Sequence, residues 1–393
     1  MSSRRALFCT LLCLAVVGAS CGSTDTSNKA SERLGVYSFG VVGGHGKPRA
    51  LEHRVPTPVS GIAGDIVQIA SSNSDGYALT QSGTVWAWGA GSVGELGDKK
   101  TPTFSRNPVE VEFPAGVKIT SLANPMPYNS GLAIDSRGRV WGWGYNPEHA
   151  LCLPRAPISR PVQLPLSKVK LVTGAGDHAL FETNGKVYAC GRGSAGELGT
   201  GSRRDSATPV AVAGLPKGTG VKLLVSSWQD SGALMDNGSY YDWGFNKEGQ
   251  LGDGTTTDRY VPVKVALPAP VTQVSQGGSS PNNGETIVIL ANGSVWSWGS
   301  NGWGQLGDGS SRNSPVPVRV MLPHDLHFTQ VFAGGYAEYA VTRSGRLWAW
   351  GGNDRGQLGT NSKKFVQDTP VPTNVDVGQI SSTATNVVVL VRR

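Results

Sequence analysis

The sequence predicts an all-β fold, a seven-bladed β-propeller. Three observations predict it: a short motif that recurs along the chain, a spacing near fifty residues, and no helical periodicity. The motif is clearest at Thr84–Gly97, TVWAWGAGSVGELG, and returns at Ser294–Gly307 and Arg346–Gly359. Weaker copies lie at Lys186–Gly199 and Ser239–Gly252, a damaged one at Arg139–Cys152, and a seventh begins VYSFG at Val36–Gly40. The marker glycines 40, 89, 144, 191, 244, 299 and 351 are 49, 55, 47, 53, 55 and 52 residues apart.

Each unit repeats the same elements in the same order. An apolar lead-in comes first (IVQIA, KITSL, VKLVT, VKLLV, VTQVS, FTQVF, GQISS), then a second short strand such as YALT or IVIL. A tight turn carrying Asn-Gly or Ser-Gly then enters the tryptophan strand, as hairpin tips do. The alternating Val-Trp-Ala-Trp run has strand period, and the glycine after it ends the strand. In the following G-x-L-G the leucine is a single apolar plug, and the glycines let the loop curl beneath it. A Pro-Val pair lies downstream each time (Pro58, Pro108, Pro161, Pro209, Pro262, Pro317, Pro370), where an edge strand tolerates a missing N–H.

The two ends are complementary. The last unit stops at NVVVLVRR without a Trp-Gly strand, and the first starts at GVYSFG without the strands before it. Together they make one blade, so the N-terminal strand is expected to complete the C-terminal blade and close the ring. Trp86, Trp88, Trp141, Trp143, Trp296, Trp298, Trp348 and Trp350 are read as packing between blades.

The W-x-W-G and G-x-L-G grammar at this period resembles the regulator-of-chromosome-condensation (RCC1) repeat family, over residues 35–393. The family's G-G-x-H-S turn is approached only at GAGDHAL, with His178. The resemblance implies a propeller of protein-binding type, with nucleotide exchange on a small GTPase as the alternative activity. A secreted protein inhibitor of an enzyme is a further one, since an enzyme-inhibiting bacterial propeller belongs to the same broad family.

Before the repeats, residues 1–20 have a basic start (Arg4, Arg5) and an apolar run, the layout of a signal segment. Cys21 follows Gly-Ala-Ser, which resembles a bacterial lipobox whose cysteine is lipidated. Residues 21–34 are polar and suit a flexible tether. The expected location is exported, either lipid-anchored at the cell envelope or secreted, with the membrane touched only through the lipid.

Net charge is +7, or +5 once Arg4 and Arg5 leave with the signal segment. The basic residues are scattered doublets, not the contiguous stripe that a nucleic-acid surface needs. Removal of residues 1–20 leaves Cys21, Cys152 and Cys190. Cys152 replaces the last glycine of a G-x-L-G loop and Cys190 a tryptophan in the next unit. A disulfide between them requires Cα atoms within about 7 Å, and two buried free thiols are the alternative.

No catalytic motif emerges. The chain has no H-E-x-x-H, phosphate-binding loop, G-x-S-x-G or C-x-x-C, and its six histidines lack metal-ligand spacing. Asp253–Asp258, DGTTTD, lacks the alternating acids and terminal Glu of a calcium loop. No cofactor, metal or enzymatic activity is expected. The informative variation is in the loops after the lead-in strands (SSNSDG, ANPMPYNSG, GAGDH, SSWQDSG, GGSSPNNGE, GGYAEY, STATN). In a propeller these project from one face near the channel, and irregular loops carry recognition. That face would gather Asn73, Asp75, Met126, Tyr128, Asp177, His178, Trp228, Gln229, Asp230, Asn282, Asn283, Tyr336 and Glu338. Aromatics among polar groups suit a protein or cell-envelope partner bound by a monomer.

Overall fold

The computed structural model describes residues 35–42, 51–100, 102, 104–146, 148–154, 156–278, 280–382 and 386–391. Residues 1–34, with the expected signal segment, Cys21 and tether, lie outside the described residues. The described chain is all-β. Its strands form five four-stranded antiparallel sheets and one seven-stranded sheet, and the helical content is a 3-10 turn at Pro281–Asn283.

The first sheet shows the plan. Lead-in strand β3 (Ile66–Ser71) pairs with β4 (Asp75–Thr80), β4 with tryptophan strand β5 (Val85–Ala90), and β5 with outer strand β6 (Phe104–Glu110). The second sheet is β7 (Ile119–Leu122), β8 (Ser130–Asp135), β9 (Val140–Gly144) and β10 (Ile158–Gln163). The third is β11 (Val169–Ala175), β12 (His178–Thr183), β13 (Lys186–Gly191) and β14 (Ser206–Ala211). The fourth is β15 (Val221–Ser226), β16 (Asp230–Met235), β17 (Tyr240–Gly244) and β18 (Arg259–Lys264). The fifth is β19 (Val271–Gly277), β20 (Glu285–Leu290), β21 (Val295–Gly299) and β22 (Ser314–Arg319). The Pro-Val pairs fall on outer strands, as expected of residues that cannot donate to a ladder.

The remaining sheet is built differently. Strands β23 (Phe328–Ala333), β24 (Ala337–Thr342) and β25 (Arg346–Gly352) lead to the 17-residue β26 (Val366–Ser382). The first part of β26 pairs with β25, from Val366 to Asp376. Its last part pairs with β27 (Asn386–Val391), from Val377 to Ser382. β27 then pairs with β1 (Gly35–Val42), Gly35 opposite Val391, and β1 with β2 (Leu51–Pro58). The end of β26 is also tied to the first sheet. Gln379 Nε2 donates to Val67 O (2.8 Å), Gln379 Oε1 accepts from Ile69 N (3.2 Å), and the Ser381 and Ser71 hydroxyls meet at 2.7 Å.

The marker glycine has one physical cause. Gly89, Gly144, Gly191, Gly244, Gly299 and Gly351 have φ between +97° and +118°. A Cβ on any of them would lie 2.3–2.6 Å from a carbonyl oxygen at the entry to the second strand. Only glycine fits both the conformation and the approach.

Neighbouring sheets are joined by a recurrent lock. The plug leucines Leu96, Leu198, Leu251, Leu306 and Leu358 are fully buried. The carbonyl just before the plug accepts the indole N–H of the next sheet: Trp143 to Glu95, Trp243 to Glu197 and Trp298 to Gln250 at 2.9 Å, Trp350 to Gln305 at 2.8 Å. The glycine after the plug (Gly97, Gly199, Gly252, Gly307) lies against the same indole, so close that a Cβ would fall within about 3 Å of it. Of the tryptophans, Trp143, Trp243, Trp298 and Trp350 make this lock; among the described residues Trp88 and Trp141 are buried without it, and Trp86, Trp296 and Trp348 are half-buried. The junction between the second and third sheets instead holds the disulfide Cys152–Cys190, with Cα atoms 5.4 Å apart. Of the two alternatives left open by the sequence, the pair is the one realised.

Several of these loops also have an asparagine hub that the motif reading passed over, whereas the first and third carry Gly91 and Gly193 at that position. Asn301 is fully buried; its Oδ1 accepts from Leu306 N (2.9 Å), and its Nδ2 donates to Ser310 O (3.2 Å) and Arg312 O (3.0 Å). Asn246 and Asn353 repeat the arrangement around Leu251 and Leu358. Replacing Asn301 by alanine orphans one N–H and two carbonyls. The expected loss is about 2–4 kcal/mol, from the usual cost of leaving such groups unpaired. A lower urea midpoint with unchanged slope is the check; a midpoint equal to wild type would remove the hub role.

Candidate binding face

The turns that leave the lead-in strands converge. Asn73, Met126, Tyr128, Gly176, Trp228, Gly278, Gly334 and Ser382 line one small depression. They come from the first to the fifth sheets, from the β23–β24 turn and from the end of β26. Its lining holds no charged side chain.

Backbone contacts fix the loops against one another. Tyr128 N donates to Gly176 O (2.9 Å), Met126 N to Ser71 O (3.1 Å), and Asn283 Nδ2 to Gly335 O (3.2 Å). Gly176 has φ +52°, and a Cβ there would sit 2.2 Å from Trp228 O. That close approach brings the third loop under the fourth, and the Tyr128 and Trp228 rings meet edge-on with centroids 5.1 Å apart. A second edge-on pair, Trp303 and Tyr336, has centroids 5.9 Å apart.

The thirteen residues proposed for the face divide in two. Asn282 is exposed, and Asn73, Tyr128, Asp177, Trp228 and Tyr336 are partly exposed. Asp75, Met126, His178, Gln229, Asp230, Asn283 and Glu338 are at most 5 % exposed, so they form the wall and do not reach a partner. Register explains the correction. Asp75, His178 and Asp230 open the second strands opposite marker glycines Gly89, Gly191 and Gly244, where the missing Cβ makes room for a side chain inside the sheet. Glu338 is one position further in, opposite Trp350.

The wall is polar, and the partners it has are mainly neutral donors. Ser72 Oγ donates to Asp75 (2.6 Å), and Ser227 Oγ donates to Asp230. Arg192 Nη1 and Nη2 donate to the Gln229 amide oxygen at 3.0 Å, once that amide is oriented to suit its neighbours. Arg192 also lies 4.0 Å from Asp177. His178 Nε2 is 2.8 Å from Ser231 Oγ, which donates to Glu197 O at 2.9 Å. The serine proton is thus committed to a carbonyl, so the pair is a structural relay and not a nucleophile with its base. Burial keeps the imidazole neutral, its pKa down at about 3, with the Arg192 charge adding to the effect.

Burial also pushes several carboxyls up. Asp230 rises to about 7 and Glu285 to about 8, and Glu338 and Asp242 rise well above the carboxylate range. Glu285 and Glu338 face each other, and Glu285 Oε1 also accepts from Gly335 N (2.8 Å). Glu285 was missed by sequence reading. Its signal is positional: the residue opposite the marker glycine is polar in Asp75, Ser130, His178, Asp230 and Glu285. Trp303 was missed too; it stands where other loops carry Val93, Ala195, Glu248 and Arg355. Asp253 holds its own loop, accepting from Thr255 N (2.9 Å) and Arg259 Nε (2.6 Å), so its oxygens are spent locally. Among the described residues no group of three His, Cys, Asp or Glu is placed to hold a metal ion.

Residues 82–123, 184–228, 237–280, 292–341 and 344–390 match the family model for the Regulator of chromosome condensation (RCC1) repeat. The chain belongs to the RCC1 repeat family. Ultraviolet-B receptor UVR8 of Arabidopsis thaliana is 30% identical over 325 residues, covering 80% of this chain and 71% of that protein. Two solved RCC1-like structures share the fold. Human WBSCR16 aligns with TM-score 0.79 and 22% identity, over 91% of this chain and 99% of its own. Prp20p of Saccharomyces cerevisiae, described with its binding to Gsp1p and histones, aligns with TM-score 0.76 and 21% identity, over 93% of each chain.

Proposed function

We propose that this RCC1-repeat chain is a non-enzymatic, monomeric protein-binding scaffold, built as a closed ring of seven blades. Reading the seven-stranded sheet as two blades that share β26 gives the seventh. The hydrogen bonds from Gln379 and Ser381 to β3 support closure. The observation that carries the function is the uncharged depression with Tyr128 and Trp228 at its rim. A shallow mouth with rigid, edge-packed aromatics provides contact area at low entropic cost, which suits a protein partner. The titratable groups with the largest shifts are walled off behind it, which supports recognition over acid–base chemistry.

The signal-like segment and Cys21 support an exported, lipid-tethered location at the cell envelope, with a partner there. The test is site-specific photo-cross-linking from position 228, with the hairpin-tip position 292 as control. The expected result is one envelope protein joined from position 228 only, and at least tenfold weaker capture by Tyr128→Ala. Equal capture from both positions would sink the face. Nucleotide exchange is the alternative, and it would appear as accelerated GDP release from a small GTPase by the purified body.

A further inference from the structure

Two residue changes coincide at one junction. Four junctions carry an indole N–H on a loop carbonyl with a glycine against the ring. Between the second and third sheets neither partner is present. Cys190 pairs with Ala179 as Trp243 pairs with Ser231 and Trp298 with Thr286, so it holds the tryptophan position. Cys152 follows the buried Leu151 as Gly199 follows Leu198, so it holds the glycine position. Cys190 Sγ lies 3.6 Å from Ala150 O, the carbonyl that the indole takes elsewhere.

The same loop departs from the pattern in its backbone. His149 and Cys152 keep the left-handed conformation, φ +64° and +49°, that glycines adopt in the other copies. Side chains are disfavoured there, so the loop is held against its preference. A cysteine is also far smaller than the indole it replaces. Without a bond between the sulfurs, this junction has at most a weak S–H donor in place of the indole N–H, and it lacks the ring and the relaxed loop that the others have.

We propose that Cys152–Cys190 is a redox-conditional substitute for the tryptophan–glycine lock: the bond clamps the second sheet to the third, and its reduction opens this junction before the others. The consequence for the face rests on the binding role proposed above. The Tyr128 loop is carried by the third sheet through Tyr128 N–Gly176 O and Gly174 N–Pro125 O (3.4 Å), so opening the junction releases Tyr128 from Trp228. The lock forms by thiol–disulfide exchange with a disulfide-bearing oxidant. One cysteine thiolate attacks the oxidant's disulfide, the second cysteine displaces the mixed disulfide, and the oxidant leaves as a dithiol. The two cysteines lose two electrons and two protons, and the oxidant takes both.

Hydrogen exchange on the full body tests it, because local opening is read segment by segment. Oxidised and dithiothreitol-reduced wild type are compared with Cys152→Gly/Cys190→Trp, which rebuilds the ordinary lock. Reduction is expected to raise exchange at least tenfold in residues 146–153 and in β11–β13, with β19–β21 unchanged. The double variant is expected to keep protection under reducing conditions. Equal protection of this segment in oxidised and reduced wild type overturns the proposal, whether or not the double variant folds. Loosening of 126–130 that accompanies reduction supports the link to the face. Opening of the junction with 126–130 still protected overturns that link and leaves the lock standing. Cross-linking from position 228 that fails in both redox states counts against the face alone.

Discussion

Replacing Trp298 by alanine is expected to cost about 3–5 kcal/mol, the range for deleting a large buried aromatic. The ring is fully buried among Val225, Leu234, Tyr240, Val265, Val271, Val274, Val288 and Leu290. Alanine leaves a cavity between the fourth and fifth sheets and orphans Gln250 O, the acceptor of the indole. Trp296 is a natural control two residues away. It is half-buried and its indole donates to Ser294 Oγ (2.9 Å) in its own hairpin, so its alanine variant is expected to lose far less. Chemical denaturation of both variants is the measurement. Equal losses would mean that the lock is not what joins the sheets.

A second large effect is expected from pH. Glu285 and Glu338 are buried face to face, with Asp230 nearby, and burial raises all three. The groups around Glu285 are Gly335 N, Gln305, Glu338 and Asp230, and none is a cation. The folded chain therefore holds protons that the unfolded chain has already released. Between the ordinary glutamate range and about 8, where Glu285 titrates, more protons are bound in the folded state, so unfolding becomes easier as pH rises. This contribution is fully present below the ordinary range and lost by about pH 8, on the order of a few kcal/mol. Glu338→Gln removes one acid and keeps the shape, so it is expected to flatten the slope between pH 5 and 8. Denaturation midpoints across that range decide it. A wild-type midpoint that rises over this window contradicts the assignment.

The fold was legible because its causes are local and repeated. A glycine forced by an approaching carbonyl, a leucine plug and a proline on an outer strand each leave a residue type at a fixed place, and Gly299, Leu306 and Pro317 could be read directly. Even the disulfide was half-written, since two deviant residues fell in adjacent copies at positions that elsewhere touch. The face was legible only as a set of loops. Which side chains reach solvent depends on register, and two positions along the chain Asp230 turns inward while Trp228 lines the depression. Glu285 and Asn301 escaped because a polar residue in a strand or turn looks solvated until its neighbours close over it.

The pairing of β1 with β27 makes the molecule's assembly order unusual. Strand β1 has β2 beside it at once, but its other neighbour, β27, comes only after nearly all of the described body has been synthesised. Until then its edge is an open template for other chains, the condition that invites aggregation and strand exchange. The joining of β1 to β27 is thus a late and slow step of folding, set by the topology itself.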